Sequence, residues 1–249
     1  KSNPITARPT TGLHPASLAG YMVYFGTGQY LETTDATSAG STTQTFYGVW
    51  DDINGISGIA APSTRAGLLE QTVVGTPIIN GSDYRIISDN TMVWKVGATA
   101  PSPSYVGWYL DLPTLGERQV TSPLLRGSRA IFTTVVPSND PCANGGEGWL
   151  MELDIANGGR LDETPFDTNG DMIFDDKDKT GPVGNKVATG GTRFKTGIPS
   201  APVILNGGTG GACLGGECKF ISSSDGNITS VNENPDETVN VRESWRQVR

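Results

Sequence analysis

The chain has 249 residues, with 33 Gly, 16 Pro, only 18% charged residues and a formal net charge of −8. That density of helix breakers excludes long helical bundles and coiled coils. No apolar run approaches the ~20 residues of a membrane-spanning helix, and the acidic balance disfavours nucleic acid or an anionic membrane as partner.

Read from the N-terminus, β-rich runs occur over residues 21–25, 45–50, 84–88, 92–96, 108–112, 130–136, 148–154, 203–206 and 218–223. Helix is scarce: residues 63–70 suffice for two turns, with Ser63 as the cap. The polar stretches 82–104 and 180–196 read as loops outside their apolar runs. A recurring unit opens with a proline (Pro9, Pro123, Pro202), crosses a short loop to a strand and ends in a glycine turn. Strand, loop, strand and Gly turn is how a propeller blade reads, although a β-sandwich accommodates the same strands. One all-β domain over 1–249 is the expectation.

Few side chains suggest covalent chemistry. His14, the one histidine, lies beside Pro15 and reads as a loop residue. Cys213 and Cys218 enclose Leu-Gly-Gly-Glu, a ring able to close as a disulfide and so to imply a periplasmic or extracellular setting, with Cys142 left over. Gly26-Thr-Gly28 and the glycines of 207–211 lack the Lys-Ser/Thr of a phosphate loop and read as turns. Asp51, Asp52 and Asp111 stand singly or paired at strand ends, where carboxylates are usually solvated. Ser224-Asp-Gly226 reads as a β-turn with a faint likeness to the Asp-box of propeller hydrolases. Trp50, Trp94, Trp108, Trp149 and Trp245 are expected to pack between sheets, and the tail 241–249 reads as a closing or partner-pairing strand. The chain starts at Lys1 with neither Met nor signal peptide, as an excised piece of a longer protein does.

The acids are concentrated. Glu152, Asp154, Asp162, Glu163, Asp167, Asp171, Asp175, Asp176 and Asp178 face only Arg160 and Lys177 within 27 residues, so a positive partner is expected there. Within this stretch runs Asp167-Thr-Asn169-Gly-Asp171-Met-Ile173-Phe-Asp175-Asp-Lys-Asp178. Oxygens at positions one, three and five of such a loop turn into one concavity, position seven adds a backbone carbonyl, and position nine binds directly or through water. The predicted metal ligands are therefore Asp167, Asn169, Asp171, the Ile173 carbonyl and Asp175, for Ca²⁺ ahead of Mg²⁺. The Ile173 side chain is then free to pack inward. Two departures stand out. Met172 fills position six, where positive φ favours Gly and another residue costs about 1–2 kcal/mol. Asp178 stands at position twelve in place of Glu, one methylene shorter.

Segments across the whole chain resemble one family. Gly20-Tyr-Met-Val-Tyr-Phe-Gly-Thr-Gly-Gln-Tyr-Leu31, Gly107-Trp-Tyr-Leu-Asp-Leu112, Gly116-Glu-Arg118, Ile131-Phe-Thr-Thr134, Asp140-Pro-Cys142, Gly148-Trp-Leu-Met-Glu-Leu-Asp154 and Ser244-Trp-Arg246, with the calcium loop, are similar to the C-terminal domain of the PilY family of type IV pilus biogenesis factors and tip adhesins. The resemblance implies a modified β-propeller, of which this chain holds the later blades, with a protruding calcium-binding loop that closes at position nine. It also implies that cation occupancy governs pilus extension against retraction, that pilus components (minor pilins) and host-surface ligands are the partners, and that the protein resides in the periplasm, on the outer membrane surface or at the pilus tip of a Gram-negative bacterium. No enzymatic activity is implied. An extracellular adhesion or glycan-binding module with structural calcium, and a secreted propeller hydrolase, are the rival readings.

Overall fold

The structure, a computed structural model, describes residues 3–37, 42–53, 64–97, 99–206 and 217–235. Among the described residues the regular elements are fifteen strands and three single 3-10 turns. The first sheet runs β1 (Thr10–Leu13), β2 (Tyr21–Gly26), β3 (Thr45–Asp51), β8 (Gly107–Asp111) and β4 (Leu69–Gln71), antiparallel except for the β4–β8 pair. The second has seven strands: β5 (Val73–Gly75), β7 (Ser82–Ile87), β12 (Gly191–Phe194), β11 (Gly146–Asp154), β10 (Arg129–Pro137) and β9 (Leu124–Arg126) in that order, with β6 (Ile78–Ile79) paired to β7. The third is β13 (Val203–Asn206), β14 (Glu217–Ser222) and β15 (Ile228–Glu233).

Period-two alternation sets which side chains meet. In β2 Met22 and Tyr24 point inward, in β3 Phe46 and Trp50, and in β8 Trp108 and Leu110. They pack against Ala130, Phe132, Trp149, Met151 and Leu153 of the second sheet. Phe46 stacks on Phe132 across this interface, ring centroids 3.8 Å apart. Trp108 fits because glycines line its ring: a Cβ on Gly158, which holds φ +72°, would lie 2.2 Å from Cε3. The long central strands β10 and β11 are buried on both faces. Their other face, carrying Ile131 and Leu150, meets Tyr84, Phe166, Phe194 and Ile221 in a second apolar cluster that seats the third sheet.

On that same face lies a four-charge lattice. The Lys219 ammonium of β14 bridges Glu152 of β11 and Glu233 of β15. Arg129 of β10 donates to Glu233 Oε1 at 3.0 Å and lies 3.7 Å from Glu152 Oε2. All four side chains are buried, so whatever charge each carries must be answered within the lattice. A second buried pair, Arg85–Glu117, is bidentate at 2.7 Å on both arms, and its guanidinium lies 3.9 Å from the Trp149 ring centroid.

Several local expectations change. Residues 92–96 form no strand; they contribute one isolated bridge, Trp94 with Tyr105, because Trp94 turns inward against His14. The expected helix over 63–70 is a single 3-10 turn, Arg65–Gly67, followed at once by β4, whose Leu69 and Gln71 are buried; Ser63 lies outside the described residues. The stretch 180–196 contains β12. The strands also gather in unequal groups rather than equal blades. His14 is a loop residue but a buried one, its ring 4.8 Å from Trp50 and 4.2 Å from Trp94, and burial lowers its pKa. Cys218 is disulfide-bonded and Cys142 is a free, exposed thiol; Cys213, the other half of the expected pair, lies outside the described residues, as do 207–211 and the tail with Trp245.

Candidate metal centre

The acidic loop leaves the second core at Phe166, which is buried against Tyr84 with ring centroids 6.2 Å apart and forms an antiparallel bridge with Glu233. The β6–β7 turn holds the loop's base, Asn80 Nδ2 donating to the Thr168 carbonyl at 2.9 Å. Asp178 closes that base from inside. It is fully buried; its Oδ1 accepts the N–H groups of Thr168 (2.7 Å) and Asn169 (3.2 Å), and its Oδ2 accepts that of Asp175 (3.1 Å). The shorter acid at position twelve is thus an internal staple, a role its spacing alone did not disclose.

The predicted ligands follow around the loop. Asp167 accepts from the N–H groups of Gly170 (2.7 Å) and Met172 (2.9 Å), Asn169 Oδ1 from that of Asp171 (2.7 Å), Asp171 Oδ1 from that of Ile173 (2.9 Å) and Asp175 Oδ1 from that of Lys177 (2.7 Å). Met172 sits at φ +63°, the left-handed conformation anticipated for position six. Ile173 departs from expectation: its side chain is 56% exposed and packs outward, although its carbonyl remains part of the turn.

The positive partners expected for the acids come partly from outside the loop. Glu152 is answered by Lys219 and Arg129. Lys177 places its ammonium 3.4 Å from Asp175 Oδ2 and 3.7 Å from Asp171 Oδ2, while Lys179 pairs with Asp176 at 3.0 Å. The Lys177 N–H, followed by its ammonium, holds the Asp175 carboxyl below its ordinary range. Burial, with the Asp167 and Asp178 charges behind it, raises Tyr84.

Among the described residues no three Asp, Glu, His or Cys side chains form a ready-made metal cage. The donor set nevertheless fits a hard cation. Every candidate donor is oxygen, and an oxygen that accepts one N–H keeps a second lone pair. The ammonium of Lys177 also stands between two of the acids as a built-in cation.

Other polar features have structural duties. Asp111 is 3.0 Å from Arg65 Nη1 and accepts from Thr45 Oγ1. Gly26 N–H donates to Gln119 Oε1 in the 26–28 turn. Asp225 takes hydrogen bonds from the Ser223 hydroxyl, the Asn227 backbone and side chain and the Thr196 hydroxyl, which lower its pKa and tie the β14–β15 turn to the segment after β12. Between that turn, β12 and the loop lies a polar groove of ≈750 Å³, lined by Asp167, Gly170, Arg193, Lys195 and Asp225 among others.

Comparison with known proteins finds relatives along nearly the whole chain. A family model described as the PilY1 beta-propeller domain matches residues 1–76. The type IV pilus biogenesis factor PilY1 of Pseudomonas aeruginosa strain PAO1 is 34% identical over 259 aligned residues, covering 98% of this chain and 21% of its own length. A PilY1 homolog of Xylella fastidiosa is 31% identical over 266, covering 99% of this chain and 17% of that protein. The chain therefore spans about a fifth of the length of these relatives. The crystal structure of the Pseudomonas aeruginosa PilY1 C-terminal domain superposes with a TM-score of 0.70 at 29% identity, covering 94% of this chain and 46% of that one. The three sheets are accordingly of propeller type, and the chain belongs to the PilY family, in the region of its C-terminal domain.

Proposed function

We propose that this chain is the cation-responsive part of a type IV pilus biogenesis factor and tip-associated adhesin, and that its 167–178 loop regulates pilus extension against retraction and surface attachment. The carrying observation is the loop itself: a base fixed by buried Asp178, a turn through left-handed Met172, and Asp171 and Asp175 faced by the exposed Lys177 ammonium.

Asp167, Asn169, Asp171, Asp175 and the Ile173 carbonyl would hold a calcium ion. A bound ion supplies two positive charges where the chain itself supplies one. Without it, Lys177, Lys179 and the loop's own N–H donors relieve the repulsion among Asp167, Asp171, Asp175 and Asp176. The two states differ in charge at an exposed surface that carries Met172 and Ile173 at its tip, which is the property a switch requires. The pilus relatives support pilus components as partners and a location on the outer side of a Gram-negative cell; minor pilins and host-surface ligands are the partners proposed. Among the described residues no helix is long and apolar enough to cross a membrane.

The test is made in the full-length protein in its own host. Asp171→Asn together with Asp175→Asn is expected to shift the balance of surface pili and to alter twitching and attachment. Unchanged pilus extension and retraction would refute the switch.

A further inference from the structure

We infer that Lys177 is a tethered competitor for the loop's cation and sets its calcium affinity, an inference that rests on the cation-binding reading above. The loop spends its carboxylate oxygens unevenly. Oδ1 of Asp171 and Oδ1 of Asp175 accept backbone N–H groups, whereas both Oδ2 atoms face the Lys177 ammonium, that of Asp171 also accepting from Asn169 Nδ2 at 3.1 Å. Neither Oδ2 takes a backbone N–H among the described residues, Asp175 Oδ2 is the more available of the two to a metal, and Lys177 stands beside both.

Its position is not left to side-chain chance. The Lys177 N–H donates to Asp175 Oδ1 at 2.7 Å, so the same carboxylate that the ammonium neutralises anchors the residue's backbone. The side chain is 68% exposed, so it has an open path into water when displaced. Neighbouring lysines are directed elsewhere: Lys179 Nζ lies 3.0 Å from Asp176 Oδ1, and Lys186 Nζ donates to the Asp176 carbonyl at 3.0 Å. Asp176 is not among the candidate ligands. Charge of the same sign and similar sequence distance is therefore present at Lys179 without contact to the site.

A loop built this way exchanges one cation for another instead of collapsing when the ion leaves. Affinity is given up for an ion-free state in which Asp171 and Asp175 remain balanced. That suits a site that responds to changing calcium rather than one permanently filled.

The experiment is a calorimetric calcium titration of the purified chain, unmodified and as Lys177→Met, Lys177→Arg and Lys179→Met, with limited proteolysis of each in the calcium-free state. Lys177→Met is expected to bind calcium about three- to tenfold tighter, the scale set by losing two exposed charge contacts. Lys177→Arg should stay near the unmodified chain and Lys179→Met should change little. Calcium-free Lys177→Met should also be cut faster within 167–178. Equal affinities for Lys177→Met and the unmodified chain, or equal gains from Lys177→Met and Lys179→Met, would overturn the competitor role while leaving the cation site intact. Absence of calcium binding in all four proteins would overturn both.

Discussion

Replacing Lys219 with methionine is expected to cost about 3–5 kcal/mol of stability above pH 8, and much less at pH 6. The reason is the lattice at the seam between the second and third sheets. Lys219 is the shared partner of Glu152 and Glu233, and Arg129 alone cannot answer two carboxylates. The pH dependence comes from Glu152. Burial first, and the Glu233 charge second, raise its carboxyl from the ordinary 4.5 to about 8, against the opposing pull of Lys219 and Arg129. With a folded-state value above the unfolded one, stability from protonated Glu152 is present in full below about pH 4.5 and is lost as pH rises through about 8. Without Lys219 the Glu152 carboxyl is raised further, so at pH 9 the methionine variant either buries an unanswered negative charge or holds a proton against the solvent; at pH 6 Glu152 carries a proton in both proteins and Arg129 suffices for Glu233. Thermal denaturation of both proteins at the two pH values checks this. The gap at pH 9 should be on the order of 10 °C, shrinking to a few degrees at pH 6, while the unmodified chain itself loses stability between pH 5 and 9. Equal losses at both pH values would contradict the assignment.

Asp178→Ala should be the most damaging change in the loop, and damaging in a different way from loss of a ligand. It leaves three N–H groups, of Thr168, Asn169 and Asp175, without their acceptor at the buried base. An orphaned buried donor costs about 1–3 kcal/mol, so a loss of about 3 kcal/mol or more is expected, together with loss of calcium binding. Asp175→Ala should abolish calcium binding while leaving the denaturation midpoint of the metal-free chain nearly unchanged. Denaturation curves set beside calcium titrations of the two variants separate scaffold from ligand. A stable Asp178→Ala protein that still binds calcium would show that the base is held by other means.

The sequence made some of this legible and hid the rest for physical reasons. β2, β3, β8, β10 and β11 are readable because each spans five or more positions and carries aromatic residues among other large apolar or β-branched ones. β4, β5, β6 and β9 have two or three residues each, too few for any alternation to register, and exist because a neighbouring strand offers its edge. β12 reads as loop in the sequence because its Gly191-Thr-Arg-Phe194 has little apolar content; it is a strand because β11 pairs with it. Met92–Val96 misled in the opposite direction, since Trp94 is apolar to fill the space beside His14 and not to extend a sheet.

In the candidate site, spacing pointed to Asp167, Asn169, Asp171, the Ile173 carbonyl and Asp175 as the expected ligands, and it anticipated the left-handed turn that the structure shows at Met172. It did not disclose that Ile173 faces solvent, because an exposed apolar side chain leaves the same spacing as a buried one. Asp178 differed from the other acids only in burial, which depends on Asn80 and Phe166 arriving from elsewhere in the fold. The partners of Glu152 lie 23 residues before it and 67 after it, beyond any local pattern. The acidic excess did signal that such partners must exist.

The central claim, that the 167–178 loop holds calcium through the predicted ligands, is tested most directly by calorimetric titration of the chain beside its Asp175→Ala variant. One-site, saturable calcium binding that the substitution abolishes is the predicted result. No binding by the unmodified chain, or binding that survives in Asp175→Ala, would contradict it and reduce the cluster to a hydrogen-bonded acidic turn.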